Sequence, residues 1–170
     1  MLKVGDLLDM KPIKFKITVI KMTEESLDLE FELGANSGGT PIHVHPNAIE
    51  TYEVLEGKFD AYKDGAWKTY GVGEKIIIEK GVPHTLRNSS DKITRVLNTH
   101  QPALKMAEYF EKLNNVVNSG VIKDEKISLK AMMHLMLLMT SYKDEIVPVN
   151  PPAPVAGVFG FLGKLAGYKI

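Results

Sequence analysis

The chemistry this sequence can perform gathers on four residues, His43, His45, Glu50 and His84. The 170-residue chain contains no cysteine, which removes thiol nucleophiles and thiolate metal sites and leaves His, Asp and Glu as the strong metal ligands. Neutral imidazoles and a carboxylate suit a divalent transition ion. On a β-strand, residues two apart share a face and sit roughly 7 Å apart along it, so His43 and His45 can aim both rings into one interior. Glu50 is five positions past His45, the wrong parity for an unbroken strand. Pro46-Asn47 supplies the break, and a turn there returns Glu50 to the same interior at the start of TYEVL. A second segment, Gly73 to Asn88, reads as a buried strand, a Gly81-Val82-Pro83 turn and a returning strand, which sets His84 where a third imidazole can join the others.

The elements that must position these residues fall into two regimes. Up to about Gln101 the chain is a series of short alternating segments separated by turn residues: KFKITVIKM, LDLEFEL, TYEVLEG, KFDAYKD, AWKTY, KIIIE and ITRVLNT. This pattern predicts a β-sandwich or barrel. Asp64-Gly65 suits a tight hairpin, because Gly accepts the positive φ that a type I′ turn demands. From Pro102 the period changes. Leu104, Ala107, Phe110, Leu113 and Val117 predict an amphipathic helix ending near Asn118-Ser119-Gly120. A second helix is predicted from an N-cap at Ser128 through LKAMMHLMLLMTSY, apolar nearly all round and therefore buried on more than one side. Pro148, Pro151, Pro152 and Pro154 then form an extended connector to a last apolar segment. Residues 1–101 are thus expected to form the barrel, and 102–170 a helical extension packed on it in the same domain.

The two motif segments resemble those of the cupin superfamily. Its first motif has an HxH pair, then a Glu after three or four intervening residues and a Gly after six more, which His43, His45, Glu50 and Gly57 match. Its second motif, Gly-x5-Pro-x-Gly-x2-His-x3-Asn, is met by Gly73, Gly81, His84 and Asn88, with Glu79 in place of the Pro. Gly38 and Gly39 stand one or two places closer to His43 than the family's leading Gly. The fifteen residues between Gly57 and Gly73 resemble the short spacing of small single-domain bacterial cupins with a conserved type 2 barrel. The resemblance implies a mainly β fold, a double-stranded β-helix or jelly-roll-like barrel, followed here by C-terminal α-helices. It also implies one divalent transition metal (Fe, Mn, Ni, Zn or Cu) on His43, His45, Glu50 and His84. Tyr52, Leu86 and Asn88 share the inward parity and are expected to line the pocket, with Tyr52 the one weak candidate for a catalytic acid or base.

Simpler readings stand beside these. A closed zinc site could only stiffen the barrel, although a chain of this size has a sufficient core without one. The methionines of the second helix are most simply core filler, with a flexible ligand-facing lining as the alternative. His100 and His134 read as ordinary packed or surface histidines. With 21 Lys+Arg against 21 Asp+Glu, the chain lacks the basic excess that nucleic-acid binding requires. It has no uncharged run of about 20 strongly apolar residues to span a bilayer. Charges at Lys3, Asp6, Asp9 and Lys11 interrupt any signal-peptide core, so a cytoplasmic protein is expected. The segment from Val155 to Ala166 is expected to be a short helix docked on the barrel or across an interface, and a homodimer is the expected assembly. Two functions follow. The first is a metal-dependent enzyme of dioxygenase or isomerase type acting on a small organic substrate, and the second is a non-catalytic cupin that binds or senses a small molecule.

Overall fold

The computed structural model of the protein describes residues 1–123 and 126–170. Its barrel strands are β1 (Leu7–Met10), β2 (Phe15–Met22), β3 (Leu27–Leu33), β4 (His43–Val44), β5 (Ile49–Glu56), β6 (Phe59–Lys63), β7 (Ala66–Tyr70), β8 (Lys75–Ile78), β9 (His84–Arg87) and β10 (Thr94–Gln101). The chain continues through α1 (Met106–Val116), β11 (Ile122–Lys123), β12 (Lys126–Ile127), α2 (Leu129–Ser141), β13 (Val147–Pro148) and α3 (Ala153–Leu165). The fold is mainly β with C-terminal helices, as expected.

Period-two burial explains why these segments are strands. In β3, Leu27, Leu29, Phe31 and Leu33 are buried while Asp28, Glu30 and Glu32 are only partly covered. β10 buries Thr94, Val96, Asn98 and His100 in the same way, so three of its four inward residues are polar. The strands form two antiparallel sheets, in the orders β1-β2-β3-β10-β5-β8 and β13-β4-β9-β6-β7. At the predicted hairpin, Asp64 and Gly65 take φ of 53° and 82°, as a type I′ turn requires. The strands that sequence periodicity passes over, β1, β4 and β13, have four residues or fewer, too short to display an alternation.

Helix α1 starts at Met106, later than its periodicity suggests, because Leu104 is exposed and in the left-handed region. Its buried face, including Phe110 and Leu113, lies on the barrel's first sheet, with Phe110 edge-on to Phe31 at 5.8 Å between ring centroids. Ser128 caps α2 as predicted, its Oγ accepting from the Ala131 amide at 3.1 Å. β13 then pairs with β4, so the extension supplies an edge strand to the second sheet.

The last helix forms, but it packs chiefly on α2, where docking on the barrel or across an interface is the expectation. Phe161, Val158 and Leu165 are exposed, and α3 meets α2 through Ala156, Gly160 and Gly163. A Cβ on Gly160 would lie 2.8 Å from Thr140 Oγ1 and 3.2 Å from the Met136 carbonyl, so the absence of a side chain sets how closely the helices approach. No helix among the described residues is long and apolar enough to cross a membrane. Gly160→Leu is expected to cost about 1–3 kcal/mol by overpacking. Gly157→Ala, at a position with nothing within 4 Å, should instead gain roughly 0.5–1 kcal/mol from helix propensity. Thermal melts check both, and a Gly160→Leu protein melting at or above the parent temperature would contradict the docking.

Candidate metal centre

Strand register assembles the site. In the second sheet β4 lies antiparallel to β9 with His43 directly opposite His84. In the first sheet β5 lies antiparallel to β10 with Glu50 directly opposite His100. His45 follows β4, and its carbonyl accepts from the Gly81 amide at 2.9 Å, which ties the turn before His84 to the first motif. Gly39, at φ 78°, lies on the backbone of β9, where a Cβ would come within 1.6 Å of the Leu86 carbonyl oxygen. Only glycine fits that approach, which explains a Gly ahead of the histidine pair at this position.

The four predicted residues converge. One ligand atom from each of His43, His45, Glu50 and His84 lies within 4.8 Å of the others, and all four residues are buried. The Nδ1 atoms of His43, His45 and His84 lie 2.7, 2.6 and 2.8 Å from the carbonyls of Pro41, Glu145 and Val82. A carbonyl only accepts, so each ring carries its proton on Nδ1 and presents the Nε2 lone pair inward. Glu50 Oε2 is 2.7 Å from His84 Nε2 and 3.5 Å from His45 Nε2, and none of these three buried atoms has a hydrogen-bond partner. Unpaired buried polar atoms each cost roughly 1–3 kcal/mol. A divalent cation among them would satisfy all three at once, so the donor set fits a metal.

The surrounding charges favour the ligating forms. Burial raises the Glu50 carboxyl pKa, but the neighbouring His100 and His45 rings outweigh it and hold the group well below its ordinary value. His43 is lowered well below the imidazole range by burial and by the adjacent His84 and His45. For His84 burial acts downward, yet contact with Glu50 wins and raises it. In the metal-free protein His84 therefore competes for a proton with the ion it would ligate.

Other residues fall differently from the sequence reading. His100 belongs to the cluster. Its Nε2 is 3.2 Å from Glu50 Oε1, its ring is 4.9 Å from that of His45, and burial holds its pKa down. Asn98, also unforeseen, donates from Nδ2 to Glu50 Oε1 at 2.8 Å and leaves Oε2 to face the imidazoles. The alternation that sends Val96 inward sends Asn98 and His100 with it, so the signal was parity along β10. His134 is an ordinary surface histidine stacked on Tyr168 at 3.9 Å. Tyr52 and Leu86 line a cavity of about 500 Å³ that also touches His43, His45, Glu50 and His100. Asn88 does not line it. Its amide instead donates to the carbonyls of Leu33, Gly34 and Lys92 at 3.2, 3.0 and 2.7 Å, tying the end of β3 to the turn before β10. Met106, Met132, Met136 and Met139 do line the cavity, so these methionines face a ligand space as well as the core.

Comparison with known proteins agrees with the barrel fold. Residues 29–100 match the family model Cupin_2, described as the cupin domain. KdgF from a Halomonas species shares 16% identity, with 60% of this chain and 92% of that chain covered, at a TM-score of 0.54. An RmlC-like cupin from Shewanella frigidimarina shares 18%, over 61% and 88%, also at 0.54. TT1209 from Thermus thermophilus shares 22%, over 55% and 89%, at 0.51. No curated protein matches the chain.

Purification without chelator should yield near-stoichiometric transition metal by elemental analysis, lost in His84→Ala. Asn98→Ala, which leaves the four ligands intact, should weaken metal binding by roughly 10–100-fold, the usual effect of a lost ligand-orienting hydrogen bond. Metal binding should also tighten as pH rises and release a proton near neutrality, because His84 gives up its proton on ligation. Trace metal in every variant, or an affinity independent of pH between 6 and 8, would contradict the site.

Proposed function

We propose that this chain, a member of the cupin superfamily through its barrel, is a metal-dependent enzyme acting on a small organic molecule, of dioxygenase or isomerase type. Its ion would be one divalent transition metal held by His43, His45, Glu50 and His84. The observation that carries the reading is that three of these four buried donors, His43, His45 and Glu50, line a substrate-sized cavity instead of being sealed off from it. A metal that only stiffened the barrel would gain nothing from adjoining open space. When bound, such an ion supplies positive charge to polarise a substrate oxygen, or, if redox-active, a path for electrons to dioxygen.

The chain's own residues supply the rest. Burial and the nearby Glu50 charge raise the Tyr52 phenol well above its ordinary pKa, so at neutral pH it keeps its proton and can only offer it. That suits a hydrogen-bond donor to a substrate oxygen and excludes Tyr52 as a resting base. His100, less basic than a free imidazole, is the group beside the ligands better suited to accept a proton. Leu86, Phe31 and Phe110 exclude water from the space beside them. The barrel and the helical extension act as one domain in this reading, since the Glu145 carbonyl from the extension orients His45.

One feature favours the second reading, a protein that binds or senses a small molecule without changing it. Apart from the cluster, the cavity lining offers few groups able to move a proton. The two are separated by reconstituting the protein with Fe(II), Mn(II) and Ni(II) and screening enolic, phenolic and keto-acid compounds for oxygen uptake and for products by mass spectrometry. Turnover abolished by His84→Ala is the expected result. Metal-dependent binding of compounds recovered unchanged under every condition would establish the binding protein instead.

A further inference from the structure

We infer that the molecule this cavity accepts is an amphiphile, with one oxygen-bearing head group at the His/Glu cluster and an apolar body lying between the barrel and helices α1 and α2. The inference rests on the reading that the cavity holds the protein's ligand, and it names that ligand's chemical class.

The lining is asymmetric in chemistry. Among the described residues Glu50 is the one charged side chain on it, and none of them is Lys, Arg or Asp, so no described side chain offers counter-charge to a phosphate or a second carboxylate. A sugar would lose its hydration against Phe15, Phe31, Leu113, Met136 and Ile146 without regaining hydrogen bonds, at a cost for each buried hydroxyl. Apart from Thr40, Tyr109 and Asn150, the polar side chains of the described lining are His43, His45, Glu50, Tyr52 and His100, and such a patch can hold a carboxylate, ketone or enol.

The dimensions set the size of the body. Met106, Tyr109, Phe110, Leu113 and Val117 all line the cavity from α1 and its continuation, a stripe of roughly 16 Å at 1.5 Å per residue. The volume of about 500 Å³ holds on the order of 15 non-hydrogen atoms at roughly 30 Å³ each, the share of a water in the liquid. A saturated acid of ten to twelve carbons, or an aryl-alkyl equivalent, is of this size. Four methionines on the wall add a surface that adapts to chains of differing shape. Packing does not require this space. A core filled to ordinary density would close it, whereas here the aromatic and thioether side chains of two sheets and two helices surround it.

The test is calorimetric titration of the full-length, zinc-loaded protein with butanoate, hexanoate, octanoate, decanoate and dodecanoate, with gluconate as the polyhydroxylated control. Affinity should rise by up to roughly fourfold per added methylene and level off near ten to twelve carbons, with gluconate no tighter than butanoate. Leu113→Trp, which fills part of the cavity, should move the plateau to shorter chains. His84→Ala should weaken every acid by a similar factor and keep the increment per methylene, because the head-group site changes and the apolar wall does not. Equal affinities across the series, or gluconate binding more tightly than decanoate, would overturn the inference. If Leu113→Trp fails to fold, the chain-length series on the unaltered protein still decides. Chain-length dependence without turnover of any compound would uphold the amphiphile and overturn the enzyme, so the two claims fail separately.

Discussion

The structure is organised around one buried carboxylate. Glu50 is 2% exposed, and an ion so placed costs several kcal/mol of lost hydration unless partners surround it. Each sheet contributes to those partners. From its own sheet come Asn98 and His100 on the facing strand β10, and across the interior come His45 and His84 from the other sheet. The two sheets cannot shift register against their neighbours without disturbing this set, since a slip of one residue would turn β10's Asn98 and His100 outward. A cluster with four unpaired imidazole nitrogens, two of them on His100, and an unpaired carboxylate oxygen is incomplete as a purely structural device. A cation among His45, Glu50 and His84 would supply the missing partner for three of these atoms.

The helical extension is tied to this centre at the level of single atoms. Glu145, a hundred residues downstream, places its carbonyl on His45 Nδ1, and β13 follows at once along β4. Its helices also line the cavity, with α1 and α2 supplying Tyr109, Leu113, Met132 and Met136. The three solved structures compared above each cover no more than 61% of this chain, so each leaves about two fifths of it or more without a counterpart. Barrels of one family can share a metal-binding end and differ in what closes the space above it. In this protein the closure is apolar, glycine-docked between α2 and α3, and rich in methionine.

Much of the centre was legible because its ligands lie close together in the chain and are marked by turn chemistry. HxH states its own shared face, Pro46-Asn47 announces the parity break before Glu50, and Gly81-Val82-Pro83 delivers His84. His100 was not legible in that way. Its role depends on which strand lies opposite Glu50, and register is a property of the assembled sheet, although its parity with Val96 pointed inward. Asn88 shows the converse error. Alternation set it on the inward face, but a primary amide near a strand end can serve three carbonyls of neighbouring turns, and that use won. The last helix misled for a related reason. Most of its large apolar residues are exposed, and its close contact with α2 is made by the glycines between them. Of the cavity beyond the ligands only Tyr52 and Leu86 could be read, because its extent is a space between elements and no local pattern encodes it.

The account depends on three imidazoles and one carboxylate meeting a single ion, and X-ray absorption spectroscopy of the metal-loaded protein tests this directly. The predicted spectrum shows a first shell of nitrogen and oxygen at about 2.0–2.2 Å, with the outer-shell multiple scattering of three histidine rings, reduced to two in His84→Ala. A first shell of oxygen alone, or histidine scattering unchanged by that substitution, would contradict the account.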